Sequence, residues 1–268
     1  MSDFEDLMEE NITIIREFIV DKVRMTGSDG VILGLSGGLD SATVLKLCVD
    51  ALGAEKVHCL IMPESASPAD DMVDARGLAE RWNVPTDEVN IDKVVNSFPV
   101  DGGERLAFAN LKARIRMCIQ YYYANVENKL VVGTSNKSEL LIGYTTKYGD
   151  SGADFLPVGD LYKTDIKKLA ARIDVPKRFI EKTPRAGLWE GQTDEKELGF
   201  SYEELDTVLK GMEALEDVET ITEKRDVPLD KVEEIKAMVE RSAHKRKIPT
   251  ILKLRNRTVG LDWREYSY

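Results

Sequence analysis

The run VILGLSGGLDSATVLKL, Val31 to Leu47, changes character twice. It begins as an apolar segment without strict alternation, the pattern of a strand buried on both faces. It ends, from Ser41 to Leu52, in apolar residues at helical spacing, with Gly53 placed to close the helix. Between them stand Ser36, Gly37, Gly38, Leu39, Asp40 and Ser41. A helix N-terminus presents unpaired backbone N–H groups and a partial positive charge. Glycines let such a turn adopt positive φ and approach a ligand closely. Ser36 and Ser41 add hydroxyl donors on either side. Together these make an anion site, and phosphate is the usual anion. Asp40 looks misplaced beside a phosphate unless Mg²⁺ bridges it to a polyphosphate. Taken singly, Gly-Gly is a tight turn and Asp or Ser a helix cap. Their joint occurrence directly after an apolar strand favours a ligand site.

Upstream of this run, residues 4–25 place Phe4, Leu7, Met8, Ile12, Ile15, Phe18, Ile19 and Val23 at helical spacing. KVHCLIM (56–62) reads as a second strand, PADDMVDARGLAERW (68–82) as a helix with a proline start and an acidic first turn, and DEVNI (87–91) as a third strand. A long helix follows over 103–124, then a fourth strand in KLVVGTS (129–135). Short apolar strands alternating with helices predict an α/β fold: a doubly wound parallel sheet flanked by helices, with helical additions at both ends. Ligands of such sheets bind beyond the carboxyl ends of the strands. That singles out SGGLDS after the first strand and GTSNKSE after the fourth. Residues 143–159 are rich in Gly, Asp and Thr without a period, as is the stretch from Thr183 to Gly199; 144–159 and 184–200 read as mobile lids. Helices resume over 164–172, 176–182, 202–212 and about 229–244.

The bulk properties limit the classes of function. A chain of 268 residues, 43% hydrophobic and 32% charged, can bury a sizeable core, and we read it as one domain over 1–268. The net charge of −11 argues against a nonspecific nucleic-acid binder. Cys48, Cys59 and Cys118 all lie in apolar stretches without a C-x-x-C pair, which reads as reduced thiols rather than a zinc site. No run reaches the length of a membrane span, and the acidic start MSDFEDLMEE is unlike a signal peptide. A cytoplasmic protein with small-molecule partners, and no nucleic acid or membrane, is the expectation.

SGGLDS is neither G-x-x-x-x-G-K-[ST] nor G-x-G-x-x-G. It resembles S-G-G-x-D-S, the PP-loop of the ATP pyrophosphatases. The resemblance implies cleavage of ATP between the α- and β-phosphates, with adenylation of a substrate. Later segments narrow the class. NLKARIRM, GTSNKSELLIGYTTKYGDSGADFLPVGDLYKTD, TPRAGLWEGQTDE and HKR occur in that order. They are similar to the ammonia-dependent NAD synthetases over nearly the whole chain, with KYGDSGAD the most specific segment. What this implies is ATP- and Mg²⁺-dependent ligation of ammonia to nicotinic acid adenine dinucleotide (deamido-NAD) in a homodimer. The final step of NAD biosynthesis would run through an acyl-adenylate, giving NAD, AMP and pyrophosphate.

Carried over residue by residue, the resemblance places ATP at Gly34, Leu35, Ser36, Gly37, Gly38, Leu39, Asp40, Ser41, Thr134, Lys163 and Arg185. It places Mg²⁺ on Asp40 and Glu139, catalysis on Asp40, Glu139 and Lys163, and deamido-NAD on Arg114, Lys147, Asp154, His244 and Lys245. The residues suit these roles: two carboxylates past strand ends fit a hard cation, and lysines in loops fit phosphate. Alone, each lysine would read as a solvated surface residue, Asp154 as a turn residue and His244 as a helix-end histidine. No protein nucleophile is needed, which agrees with the lack of a Ser-His-Asp pattern.

This chain departs from the family pattern at two places. It has Ser135-Asn136 where the family often has Asp-His, and Arg185 where a Thr or Ser often follows the proline. About thirty residues precede the PP-loop, too few for a glutamine amidase domain, so ammonia is the expected nitrogen source. By the same resemblance the 103–124 helix would form the dimer interface, and Tyr121, Tyr122 and Tyr123 cover more than one of its faces. Two alternatives stay open: a PP-loop tRNA-modifying enzyme, favoured only by the acid-free segment 241–257, and a noncatalytic nucleotide-binding module.

Overall fold

The computed structural model describes residues 7–100, 103–185, 193–247 and 249–259. Four strands form one parallel sheet in the order β3-β2-β1-β4: β1 (Gly30–Gly34), β2 (Val57–Ile61), β3 (Thr86–Glu88) and β4 (Lys129–Val132). Val31 lies opposite Val57 on one side and Leu130 on the other. A parallel bridge between Val132 and Phe155 continues the pairing past β4.

The helices in chain order are α1 (Met8–Thr26), α2 (Leu39–Leu52), α3 (Ala69–Arg81), α4 (Asp92–Ser97), α5 (Arg105–Val126), α6 (Lys137–Ile142), α7 (Lys163–Arg172), α8 (Lys177–Ile180), α9 (Asp194–Leu198), α10 (Tyr202–Glu213), α11 (Val218–Arg225) and α12 (Leu229–Arg241). The period of two in each strand sorts its side chains to opposite faces. Val31, Leu33, Val57, Cys59 and Ile61 pack in one cluster with α1, α2, α3, α7 and α8. Ile32, Leu60 and Val131 pack on the other face with α4 and α5. Leu33 and Leu60 are wholly buried, each worth about 1.5–3 kcal/mol relative to exposure. Helices therefore cover both faces, as the unbroken apolar strands required.

A third cluster joins α6, α10, α11 and α12 through Ile142, Leu205, Val208, Ile221, Val232 and Ile235. It stands beside the carboxyl edge of the sheet and braces the loop after β4. The expected helices are all present within a few residues. Four helices, α4, α6, α9 and α11, carry too few turns for a hydrophobic period to show. The third strand falls at Thr86–Glu88 rather than 87–91: all three of its side chains are exposed at the sheet edge, so burial does not mark it. The expected last helix ends at Arg241 and tightens into a 3₁₀ turn at Ser242–Lys245.

Of the two segments expected as lids, 144–159 is held by bonds within it and by one to Gly133 after β4. Thr146 N–H donates to Asp150 at 2.7 Å, Gly149 N–H to Thr146 O at 2.8 Å, and Gly133 N–H to Phe155 O at 3.0 Å. In the other, residues 186–192 lie outside the described residues.

Candidate active site

The Ser36–Ser41 turn sits where β1 hands over to α2. Gly37 has φ +78°, and a Cβ there would lie 2.1 Å from the Asp71 carbonyl oxygen. Only glycine meets both demands. The two hydroxyls meet, Ser36 Oγ to Ser41 Oγ at 3.0 Å, and Gly38 N–H points at Ser36 Oγ at 3.3 Å. Ser41 Oγ also donates to Gly38 O at 3.1 Å. Leu35 and Leu39 are buried in the core, so of the expected ATP positions these two offer backbone alone. Gly34 faces the Gln120 side chain. Ser36 is exposed at the mouth of the turn.

Three charged side chains meet behind this turn. Lys163, the first residue of α7, reaches Asp40 Oδ2 at 2.5 Å and Glu139 Oε1 at 3.4 Å. Its side chain is 5% exposed, against 15% for each carboxylate. Burial alone would lower the Lys163 pKa, but Asp40 and then Glu139 outweigh it and hold the ammonium above its ordinary value. Burial, with Asp40 and Asp194 nearby, pushes Glu139 up against the pull of Lys163. Asp40 Oδ1 is buried and has no hydrogen-bond partner among the described residues. An orphan acceptor next to a second carboxylate is a donor set suited to a hard cation. No cluster of three or more His, Cys, Asp or Glu groups able to hold a metal occurs among the described residues. A cation here would therefore draw its remaining ligands from elsewhere, as magnesium at phosphate sites does.

Several neighbours that the motifs do not single out as ligands position these groups. Asn136, wholly buried, caps α6 by accepting from Glu139 N–H at 2.9 Å and donates Nδ2–H to Asp40 Oδ2 at 3.2 Å. Asp206 on α10 accepts from Ser138 Oγ and, at 2.8 Å, from Thr164 N–H, while Ser138 Oγ accepts from Lys163 N–H at 3.0 Å. The third cluster thus fixes the α7 start that aims Lys163. Tyr202 donates to Asp194 Oδ2 at 3.2 Å and reaches Glu139 Oε1 at 3.4 Å. An Asn ahead of a helix is a local cap signal that could have marked Asn136; the rest are tertiary contacts.

The expected dinucleotide residues divide. Arg114 Nε donates to Lys147 O at 3.2 Å, and Lys147 Nζ to His244 O at 2.9 Å. Lys245 Nζ donates to Gly143 O at 2.7 Å and Thr145 O at 2.8 Å. The cations Arg114, Lys147 and Lys245 therefore gather, with the His244 backbone, around the start of the 143–159 segment. Asp154 is used differently: Oδ2 accepts from Val131 N–H at 2.7 Å and Oδ1 from Tyr121 at 3.1 Å. Its carboxylate completes the edge of β4. Thr134 lies half-buried in the turn after β4. Arg185 makes a two-pronged pair with Asp71 of α3, at 3.1 and 2.7 Å. Beside it, Lys182 Nζ bonds Gly37 O at 2.9 Å and both Asp71 and Asp74 at 2.6 Å. A cavity of about 500 Å³, lined by Asp70, Asp74, Arg178, Lys182, Thr183 and Arg185 among others, opens alongside.

The family profile described as NAD synthase matches residues 11–249. The chain belongs to the NAD synthase family. The NH₃-dependent NAD⁺ synthetase of Archaeoglobus fulgidus is 50% identical, with 94% of this chain and 98% of that one covered. Its counterpart in Methanocaldococcus jannaschii is 46% identical over 90% and 96%. Among solved structures, NMN synthetase from Francisella tularensis superposes with a TM-score of 0.83 at 34% identity, covering 92% of this chain and 99% of that one. The NH₃-dependent NAD synthetase of Campylobacter jejuni gives 0.76 at 34% identity, covering 94% and 100%. The parallel sheet with helices on both faces is the fold of these NAD synthase relatives. The convergence of Asp40, Glu139 and Lys163 lies at the carboxyl edge of that sheet.

Proposed function

We propose that this chain amidates deamido-NAD with ammonia to form NAD, cutting ATP between its α- and β-phosphates and releasing AMP and pyrophosphate. The observation that carries this reading is the meeting of Asp40, Lys163 and Glu139 behind the Ser36–Ser41 turn, in a chain of the NAD synthase family. The free amides at the start of α2 and the Ser36 and Ser41 hydroxyls hold the phosphates of ATP. Lys163 keeps its charge in a buried setting and stabilises negative charge developing on the transferred and leaving phosphates. Asp40 and Glu139 would hold Mg²⁺, which when bound offsets charge on the phosphate oxygens. The cations Arg114, Lys147 and Lys245, with His244, bind the anionic dinucleotide and orient its nicotinate carboxylate.

The carboxylate oxygen attacks the α-phosphorus, the α–β bridge breaks, and pyrophosphate leaves. Ammonia then adds to the activated carbonyl, loses a proton, and AMP departs as the amide forms. Cys48 and Cys59 take no part. Burial raises the Cys59 thiol to about 12 and Cys48 further still, so both stay protonated and inert.

A homodimer through α5 fits its exposed apolar residues Leu106, Tyr122 and Val126. No helix among the described residues is long and apolar enough to cross a membrane, and a cytoplasmic setting is part of the proposal. The likeness to an NMN synthetase favours one second reading, in which nicotinic acid mononucleotide is the acceptor. The names of the 42–50% identical relatives favour the dinucleotide. Parallel assays with ATP, Mg²⁺, ammonium and either acceptor decide. The proposal expects a higher kcat/KM for the dinucleotide. Amide formation from the mononucleotide alone would replace it with the second reading, and no amide from either would refute both.

A further inference from the structure

The Gly37–Gly38 peptide is the most easily turned unit of the PP-loop. It joins two residues without Cβ, and Gly37 occupies the left-handed region at φ +78°. A planar trans peptide points its C=O and its N–H in opposite directions. Whatever fixes the Gly37 carbonyl therefore also aims the Gly38 N–H. Lys182 fixes it: its ammonium donates to Gly37 O at 2.9 Å.

That ammonium is itself held in place. Asp71 Oδ1 and Asp74 Oδ2 each lie 2.6 Å from Lys182 Nζ, and the Asp71 side chain is 9% exposed. Arg185 shares Asp71, and Arg178 pairs with Asp74 at 3.2 Å. The Asp71 backbone carbonyl meanwhile stands where any Gly37 side chain would go. The start of α3 therefore grips the loop twice, once by shape and once through Lys182. On the opposite side of the peptide, Gly38 N–H points to Ser36 Oγ at 3.3 Å, toward the face that bears the exposed serine.

We propose that Lys182 is a positioning residue for the PP-loop: it latches the Gly37–Gly38 peptide so that the Gly38 N–H faces the phosphates of ATP. Lys182 is not itself offered to the phosphates, because its charge is balanced by Asp71 and Asp74. Without it, the glycine peptide can turn over, placing a carbonyl oxygen where a phosphate needs a donor. The inference rests on the reading of SGGLDS as an ATP site and not on which nicotinate acceptor is used.

The test compares wild type, Lys182→Met and Lys182→Arg by calorimetric titration with an ATP analogue methylene-bridged between the α- and β-phosphates, in Mg²⁺. Loss of a charge-assisted positioning bond predicts about tenfold weaker analogue binding in Lys182→Met. Deamido-NAD affinity should stay within about twofold. In turnover, KM for ATP should rise while KM for the acceptor does not. Lys182→Arg, which keeps charge and donor, should restore most of the affinity. Should the Met variant not fold, Lys182→Gln carries the same expectation, since it keeps a polar head for the buried carboxylates and is too short for the carbonyl. Unchanged analogue binding overturns the proposal, as does equal loss for both substrates or failure of the Arg variant to rescue. Absence of NAD formation by wild type would sink the proposed function while leaving the analogue titration fully readable.

Discussion

Replacing Asn136 by Ala removes two bonds from a wholly buried position. One is the helix cap to Glu139 N–H at 2.9 Å, and the other is the donor to Asp40 at 3.2 Å. A cap contributes about 1 kcal/mol, and a hydrogen bond to a charged partner about 1.5–3 kcal/mol. Together they predict a loss of about 2.5–4 kcal/mol, measurable by urea denaturation. Activity should fall further than stability suggests. Asn136 ties the helix bearing Glu139 to Asp40, and loosening catalytic groups by about 1 Å costs on the order of a hundredfold. Asn136→Asp separates the two roles. It keeps the cap acceptor but sets a second buried carboxylate against Asp40, so it should recover neither the Asp40 contact nor turnover. An Asn136→Ala variant that stays within about 1 kcal/mol of wild type and keeps full turnover would refute the assignment.

Other perturbations probe separate parts of the structure. Gly37→Ala forces a Cβ to 2.1 Å from the Asp71 carbonyl at φ +78°, so ATP binding should be lost in calorimetric titration; retained affinity would mean that the loop adapts. Glu213 is held below its ordinary pKa by hydrogen bonds from Lys137 and Tyr162. A lowered carboxylate stabilises above its unfolded pKa and loses that contribution as pH falls through the folded value. The destabilisation by Glu213→Gln should accordingly be greatest at neutral pH and shrink in denaturation curves taken at progressively lower pH, below the ordinary carboxylate range. In native protein, thiol reagents should spare buried Cys48 and Cys59, and all three cysteines should react in denaturant. Cys118 is exposed on α5, so its labelling should slow as protein concentration rises if that helix pairs with a second copy.

The Asn136 case shows where the sequence was readable and where it was not. Val31–Leu47 declared strand, turn and helix because its hydrophobic period changes within a few residues and its turn residues have few other uses. Glu139 and Lys163 were found by motif, yet their meeting at Asp40 depends on α6 and α7, which the third cluster holds in place. Lys182 is separated from Gly37 by 145 positions, and nothing local distinguishes it from a surface lysine at a helix end. At Asp154 the motif marked a substrate position but not the structural contacts it also makes, in which its two oxygens accept from Val131 N–H and Tyr121. Arg185, the departure from the family pattern, found a use in the ion pair with Asp71.

In the proposed reaction the nicotinate carboxylate is activated by attack on the α-phosphate of ATP. Deamido-NAD labelled with oxygen-18 in that carboxylate follows this step atom by atom. Turnover with ATP, Mg²⁺ and ammonium should place one labelled oxygen in the phosphate of AMP and none in pyrophosphate. Label-free AMP, or ADP with labelled phosphate in place of AMP and pyrophosphate, would rule out the acyl-adenylate.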